Sequence, residues 1–420
     1  MSADGRDRSG SSKSSGAAAD AAASFTVKVH PRIADIPAAE WDACAGADNP
    51  FLCHAFLEAL ESSGSATAES GWLPQHLALE APGGGGSSRL LGVAPLYLKS
   101  HSYGEYVFDW GWANAYERAG GRYYPKLQCA VPFTPATGPR LLVRPDAPDP
   151  DAVAQGLTAA MVELAQRHKA SSVHVTFPTR GEWERLGEAG FLLRQGQQFH
   201  WENHAYRNFD DFLNELASRK RKQIRRERRD ATADGALAIR ALTGRDIEPR
   251  HWDAFFRFYR QTSSRKWGSA YLTRRFFDLI GERMADRIVL MMAERTADKR
   301  LVAGALNLIG RDALYGRNWG AVVDVPFLHF EMCYYQAIDF AIERGLARVE
   351  AGAQGEHKIQ RGYLPTPTYS AHWIRDPGFR RAVSDFLCRE RDAVGYEMAA
   401  LSDLSPFRRG PNGETEAETE

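Results

Sequence analysis

The sequence repeats one pattern of strands, and this repeat limits the possible folds more than any other feature. In the first half, the predicted strands Gln75–Glu80 and Leu90–Lys99 flank a Gly/Ser-rich turn. In the second half, Val289–Glu294 and Leu301–Gly310 flank a polar turn in the same way. A long predicted helix and one more strand follow in each half; these last strands are Ser172–Phe177 and Ala347–Ala351. The repeat predicts two domains that share a fold.

A second repeated pattern marks the end of each half. A glycine-aromatic pair precedes a His-Trp pair by ten residues in both halves. The pairs are Gly190-Phe191 with His200-Trp201, and Gly362-Tyr363 with His372-Trp373. Because two pairs recur at the same spacing in both halves, a duplicated domain is favoured over chance. On this reading the first copy carries an insert at 100–140, which is rich in Tyr, Trp, Gly and Pro.

The periodicity of apolar residues predicts strands and helices that alternate along the chain, so we expect a mixed α/β protein with central sheets flanked by helices. At 420 residues the chain is longer than one core usually serves. We therefore predict domains at 25–205 and 206–401. Residues 1–24 are rich in Ser, Gly, Ala and Asp, and residues 402–420 end in an acidic stretch, so both are expected to be disordered.

Composition excludes several classes of protein. The 53 Lys and Arg residues balance the 53 Asp and Glu residues, so any anionic partner must be recognised by a local cluster of charge. The five cysteines form no C-x-x-C pair, which argues against a disulfide framework and a cysteine-rich zinc site. We interpret them as reduced thiols of a cytoplasmic protein. The sequence contains neither an apolar stretch of transmembrane length nor a signal-peptide pattern.

The densest cluster of charge is Ser218–Arg229, in which eight of twelve residues are basic. On a helix, Arg221, Arg225 and Arg229 share one face, with Arg226 beside them. Arginine guanidinium groups match phosphate oxygens in pairs. A solvated helix is the plain alternative to a site for a diphosphate-bearing small molecule or an RNA backbone.

The insert is a second candidate binding element, because long loops rich in aromatic residues tend to bind ligands rather than merely connect strands. Five of its residues could form the wall of a sugar or peptide pocket: Trp112, Tyr123, Lys126, Thr134 and Arg140. An aromatic plug that covers the sheet is the alternative.

The third candidate is the loop after the strand Ala347–Ala351. Its general base would be Glu350, Glu356 or His357, and its oxyanion stabiliser would be Lys358 or Arg361. The small residues between them suggest that a substrate approaches the main chain closely. Further candidate substrate-binding residues are Arg317, Trp319, Gln354 and Tyr363. Alternation along a strand would place Arg317 and Trp319 on one face and Asn318 on the other.

Several of these phrases together resemble the FemAB-like family, whose members are described as peptidoglycan biosynthesis or recognition proteins of the GNAT (N-acetyltransferase-fold) group. The phrases are RKRKQIRRERR, YPKLQCAVPFTPATGPR, LYGRNWG and VEAGAQGEHKIQRGYLP. The resemblance implies two tandem GNAT-like domains. It also implies that Arg221, Arg225 and Arg226 contact a diphosphate, that the PFTPATGPR loop contacts a sugar-peptide, and that Lys358 or Arg361 stabilises the oxyanion.

Fem enzymes transfer an amino acid from aminoacyl-tRNA to a cell-wall precursor. The resemblance thus implies a transferase that forms an amide on an amine of a phosphate-bearing acceptor. An acyl-CoA-dependent N-acetyltransferase and a non-catalytic binding module for a cell-wall precursor or RNA are the alternatives. The acyl donor stays open between aminoacyl-tRNA and acyl-CoA. AVVDVPFLHFEM replaces the glycine-rich acetyl-CoA turn, which argues against CoA, and no helical hairpin arm is visible for tRNA.

Overall fold

The computed structural model describes residues 25–83, 88–232, 235–267, 270–353 and 355–408. Over these ranges the chain forms two sheets, one of four strands and one of eleven, with helices on both sides. The mixed α/β prediction is therefore confirmed. The predicted disordered segment 1–24, the end of the chain from residue 409 and the candidate residue Gln354 lie outside the described ranges.

The strands are β1 (Thr26–His30), β2 (Trp72–Pro74), β3 (His76–Pro82), β4 (Ser88–Ala94), β5 (Leu96–Lys99), β6 (Lys126–Cys129), β7 (Leu142–Val143), β8 (Ser172–Thr176), β9 (Leu192–Glu202), β10 (Leu237–Thr243), β11 (Ile288–Arg295), β12 (Leu301–Ile309), β13 (Ala313–Ala321), β14 (Arg348–Glu350) and β15 (Leu364–Ile374). The small sheet has the order β1-β3-β4-β7, and the large sheet has the order β10-β11-β12-β13-β14-β9-β15-β8-β6-β5-β2.

The helices are α1 (Ala38–Ala45), α2 (His54–Ser62), α3 (Trp110–Arg118), α4 (Pro150–Arg167), α5 (Arg180–Glu188), α6 (Phe209–Glu215), α7 (Ser218–Ala231), α8 (Pro249–Trp267), α9 (Arg274–Arg283), α10 (Leu328–Phe330), α11 (Gln336–Glu343) and α12 (Pro377–Ser402). A π-helical turn, Glu331–Tyr335, joins α10 to α11, and a 3₁₀ turn covers Glu356–Arg361. Among the helices of the described ranges, none is long and apolar enough to cross a bilayer.

Two predicted elements divide where the backbone leaves the regular pattern. The predicted strand from Leu90 splits at Pro95, which has no N–H to give to a ladder, so β4 joins the small sheet and β5 the large one. The spacing of apolar residues predicts one helix over Phe209–Arg229, but the chain forms α6 and α7 because Leu216 is extended and pairs with Phe407.

That pairing also corrects the predicted boundary of the acidic tail. Phe407 is 9% exposed and packs against the core of the second half. The backbone N–H of Arg408 donates to the carbonyl of Glu215. The chain is thus ordered to Arg408, and the tail predicted from residue 402 starts too early.

The centre of the large sheet is an antiparallel pair of equivalent strands, β9 and β15. His200 lies opposite Leu364 and His372 lies opposite Leu192. An approximate two-fold axis therefore passes between Gly196 and Thr368, which face each other across the ladder. The repeated motifs of the sequence are the two halves of this symmetric pair.

The two halves exchange their last strands. Strand β9 ends the first half but pairs with β14, whereas β15 ends the second half but pairs with β8. One sheet consequently runs through both halves. The division into domains 25–205 and 206–401 stays a prediction, and on this topology each domain would borrow a strand from the other.

The predicted insert is shorter than expected. Its last part contains β6, which pairs antiparallel with β5 and parallel with β8. In the second half β13 has the same relations to β12 and β14, so β6 belongs to the repeat. The added segment lies between β5 and β6.

Helix α8 lies against β12 and β13 because Gly320 leaves room for it. A Cβ atom at Gly320 would lie 2.2 Å from the carbonyl oxygen of Phe258. This close contact fixes α8 beside the end of β13.

Candidate active site

Strands β13 and β14 run side by side for three residue pairs and then separate. The last pair is Tyr315 with Glu350; beyond it β13 continues to Ala321, while the other chain turns into the loop that begins at Ala351. Their divergence opens a cavity of about 640 Å³. Beyond this last pair the two strands share no ladder of hydrogen bonds. A ligand in the cavity can therefore reach main-chain and side-chain groups on both sides.

Both halves of the chain build the cavity wall. The sheet contributes Arg194–Gln198, Ala305–Asn307, Gly316–Trp319 and Thr368–Ser370. The loop before the 3₁₀ turn contributes Ala351–Ala353 and Gly355, and the added segment contributes Tyr106–Phe108. The cavity thus lies where the exchanged strands meet, which is consistent with a ligand site between structural units.

Arg317 reaches the cavity because β13 bulges there. Leu306 pairs with Asn318 and Asn307 pairs with Gly316, so Arg317 has no partner on β12. The bulge interrupts the predicted alternation of faces, and Arg317, Asn318 and Trp319 all line the cavity. The Arg317 guanidinium donates to the carbonyl of Phe133. Burial lowers its pKa, and no carboxylate of the described residues lies within 4 Å of it.

Lys358 also lines the cavity, and its ammonium group is fixed by the loop before it. The side chain is 3% exposed, and Nζ donates to the carbonyls of Ala351 at 2.6 Å and Gly352 at 3.0 Å. Gly352 has a φ of +75°, a conformation that glycine adopts without strain. The small residues predicted to bring a substrate near the backbone therefore wrap around Lys358.

Glu350 lies behind the wall rather than on it. Its Oε1 accepts from Arg348 Nε at 3.0 Å, and its Oε2 is 3.8 Å from His200 Nε2. Oε2 is buried without a hydrogen-bond partner in the described part of the chain. Burial raises the pKa of Glu350 to about 7 although Arg348 opposes this, and burial lowers the pKa of His200 to about 3. A carboxyl group of this kind changes charge near neutral pH.

Of the predicted acid-base pair Glu356-His357, only His357 faces the cavity. Glu356 is exposed. His357 Nε2 lies 3.1 Å from the hydroxyl of Tyr334, which also lines the cavity. A histidine and a buried phenol in contact can pass a proton between a ligand and solvent.

Arg361 has a structural role in this geometry. Its guanidinium donates to both oxygens of the buried Glu227 at 2.8 and 2.9 Å, and Nη1 donates to the carbonyl of His357. Neither Arg361 nor Tyr363, which is fully buried and donates to the carbonyl of Tyr334, lines the cavity. Of the two cations proposed for the oxyanion, Lys358 alone faces the open space.

Comparison with known proteins identifies the family of the chain. The family model described as peptidoglycan biosynthesis/recognition, FemAB_like, matches residues 32–409. The chain belongs to the FemAB-like family. A comparison with curated proteins gave no match.

The structure of this FemAB-like protein is similar to several solved structures. "Crystal structure of FemX" is 13% identical, covers 83% of this chain and 98% of that chain, and has a TM-score of 0.51. A tandem GNAT protein from the clavulanic acid biosynthesis pathway is 11% identical, with a TM-score of 0.45 and coverage of 84% and 99%. The DUF2156 domain of a lysylphosphatidylglycerol synthetase from Agrobacterium fabrum is 10% identical, with a TM-score of 0.48 and coverage of 84% and 95%. The fold is similar to that of FemX, and the predicted α/β class with mixed sheets is confirmed.

The pocket predicted from the insert of the FemAB-like chain does not coincide with this cavity. All five predicted wall residues are buried outside the cavity: Trp112, Tyr123, Lys126, Thr134 and Arg140. Arg140 donates to the backbone carbonyls of Thr176, Ala136, Gly138 and Pro139, which fills the space beyond the end of β8. Pro135, from the same loop, does line the cavity and accepts from Gln198 at 2.6 Å.

The basic helix α7 of the FemAB-like chain also lies away from the cavity. Arg225 pairs with Asp210 at 2.8 Å, Arg221 donates to Asn214 at 3.4 Å, and Arg226 is exposed. None of the three lines the cavity. The inner face of α7 instead carries Glu227, the partner of Arg361. An anion site on the outer face of α7 stays a prediction.

Strand β9 also contributes to the cavity, although no candidate residue was predicted on it. Arg194 lines the cavity, donates to both oxygens of Glu390 on α12 at 2.7 Å and donates to the carbonyl of Phe108 at 2.8 Å. Gln198 lines it as well. The only sequence signal was a row of polar residues, RQGQQ, just ahead of the repeated His-Trp pair.

Proposed function

We propose that this FemAB-like protein transfers an acyl or aminoacyl group to an amine of a phosphate-bearing acceptor inside the cavity. One observation supports this most strongly: two cations, Arg317 and Lys358, line a space that opens where parallel strands separate. Because its guanidinium has no acidic partner within 4 Å among the described residues, Arg317 suits an anionic group of the ligand. The family description supports a cell-wall precursor as the acceptor.

The reaction needs no covalent intermediate on the protein. The amine nitrogen attacks the carbonyl carbon of an ester or thioester, a C–N bond forms, and the C–O or C–S bond breaks after the tetrahedral intermediate. The amine loses a proton, and the leaving oxygen or sulfur gains one. His357 with Tyr334 is the cavity-lining pair that suits this exchange of protons.

Lys358 suits the developing negative charge on the former carbonyl oxygen. Two backbone carbonyls fix its ammonium at the wall, so the positive charge is already in place before the reaction. Such preorganised charge is often the largest contribution to catalysis in sites that exclude water. Glu350, behind Arg317, would set the electrostatic potential of the anion site rather than touch the substrate.

Aminoacyl-tRNA is the donor that the family resemblance favours. The segment that replaces the acetyl-CoA turn has Phe327, not glycine, at the start of α10, with a φ of +63°. The helix then changes at once into a π-helical turn. This entrance presents no glycine-rich loop to a pyrophosphate.

The test is a transfer assay with a UDP-linked sugar-peptide as the acceptor and either aminoacyl-tRNA or acetyl-CoA as the donor. We expect the acceptor mass to rise by one aminoacyl group. Arg317→Gln should raise KM for the acceptor at least about tenfold, because a charge-assisted contact is lost. The matched control is Arg311→Gln, since Arg311 is 71% exposed and pairs only with Asp48 among the ion pairs of the described chain. Failure of both donors, or equal kinetics of both variants, would overturn the proposal.

A further inference from the structure

An exposed aromatic segment borders the mouth of the cavity. We name as the aromatic ridge four residues between β5 and α3 and at the start of α3: Tyr103, Tyr106, Phe108 and Trp110, which are 54%, 36%, 55% and 46% exposed. The described residues contain ten large hydrophobic side chains that are exposed, and four of them lie in this short segment. Such a concentration usually marks an interaction surface.

Two buried lysines hold the ridge in place, and one of them, Lys99, donates to the carbonyl of Tyr103 at 3.3 Å. Lys126 is fully buried, and its Nζ donates to Ser102 at 2.9 Å, to Glu105 at 2.7 Å and to Asp109. These three polar residues are interspersed among the ridge residues along the chain. Burying an ammonium group and two carboxylates costs free energy unless the charges are paired. Pairing with Lys126 therefore holds this segment in one conformation. A rigid display of aromatic side chains binds with little loss of conformational entropy.

The surface of the ridge carries no negative charge. Glu105 and Asp109 are the only acids from Ser100 to Tyr116, and they are 4% and 2% exposed with carboxylates turned towards Lys126. A ridge without exposed carboxylates is not repelled by an anionic surface. Burial of both acids therefore makes the ridge suitable for contact with anionic lipid headgroups.

The arrangement of the rings favours a lipid interface over a stacking ligand. Tyr103 and Trp110 meet at a centroid distance of 5.4 Å and an angle of 63°, and Phe108 and Trp110 meet at 6.0 Å and 67°. Bases and sugars stack on open, flat ring faces. Rings packed edge to face instead present apolar ring edges together with the polar groups of Tyr and Trp, as aromatic residues do at the interface of a bilayer.

We propose that the aromatic ridge inserts into the interfacial region of a lipid bilayer. Tyr106 and Phe108 belong to both the ridge and the cavity wall, and Arg194 holds the carbonyl of Phe108. Insertion would turn the cavity mouth towards the membrane surface, where an amine acceptor anchored in lipid is accessible. This inference concerns where the protein acts and does not depend on the transferase reaction.

The test is co-sedimentation of the full chain with vesicles of phosphatidylethanolamine and phosphatidylglycerol. Phe108→Ser with Trp110→Ser should weaken partitioning at least about tenfold, because two exposed aromatic side chains no longer enter the interface. The control replaces two exposed apolar residues elsewhere, Tyr396 and Leu404, which are 80% and 52% exposed, by serine. It should bind as the wild type does.

Melting curves of each variant confirm that it is folded, and the single change Phe108→Ser serves if the double variant is not. Equal partitioning of ridge and wild-type proteins, or no binding of the wild type at millimolar lipid, would overturn the proposal. A ridge variant that loses binding to single-stranded RNA while keeping its vesicle binding would overturn it too, and would assign the ridge to RNA. The assay contains no substrate, so its failure leaves the proposed transferase function unaffected.

Discussion

Replacing Glu350 with glutamine is expected to make the free energy of unfolding less dependent on pH. Burial raises the pKa of Glu350 to about 7 in the folded chain, whereas an unfolded glutamate has a pKa of about 4.3. The folded state therefore binds the proton more tightly. The contribution of Glu350 to the free energy of unfolding is greatest below the pKa of the glutamate in the unfolded chain. It falls as the pH rises towards 7, because Glu350 ionises first in the unfolded chain. Between pH 5 and pH 8 this loss of stability amounts to roughly 2–3 kcal/mol.

The measurement is chemical denaturation at pH 5, 6, 7 and 8. Wild-type protein should lose roughly 2–3 kcal/mol more than Glu350→Gln over this range. The matched control is Glu356→Gln, which removes an exposed carboxylate from the same segment and should follow the wild type. Parallel losses for wild type and Glu350→Gln would refute the reasoning, because Glu350 would then not change charge near neutrality.

The remaining predictions concern Arg361 and the basic helix. Arg361→Met should lower the free energy of unfolding by about 3–5 kcal/mol, because Glu227 would stay buried without its partner, and adding Glu227→Gln should recover part of the loss in denaturation experiments. Changing Arg221, Arg225 and Arg226 to glutamine should weaken binding of tRNA or a UDP-linked sugar-peptide in titrations, with a smaller effect at high salt. Unchanged binding of both ligands would leave α7 as a solvated helix.

The repeat of the sequence predicted the symmetry of the fold but not the exchange of strands. The spacing of Gly-aromatic and His-Trp pairs is a local property, and it is preserved in β9 and β15. Which strand lies beside which depends on contacts between residues far apart in sequence. Strand β9 itself escaped prediction because its half-buried polar residues face the cavity, which removes the alternation that marks an ordinary strand.

The site was predictable where its residues follow one another along the chain. Lys358 and the small residues around it lie within a short loop, so their proximity could be inferred. Lys126 of the insert was predicted to line a pocket, but it is neutralised by Glu105 and Asp109. These acids are distant from Lys126 in sequence, so the ion pairs could not be inferred from spacing. Aromatic residues of a long loop indicated binding, but burial separates Trp112 and Tyr123 from the exposed ridge that borders the cavity.

We expect ligands to bind in the cavity between β13 and β14. Isothermal titration with a UDP-linked sugar-peptide, acetyl-CoA and bulk tRNA tests it when wild type is compared with Ala353→Trp, which places an indole at an exposed position of the cavity wall. Ala39→Trp, at an exposed position on α1, is the control. We predict that the sugar-peptide binds the wild type and the control equally and binds Ala353→Trp at least about tenfold more weakly. Equal affinity for all three proteins would place the ligand elsewhere and contradict the account.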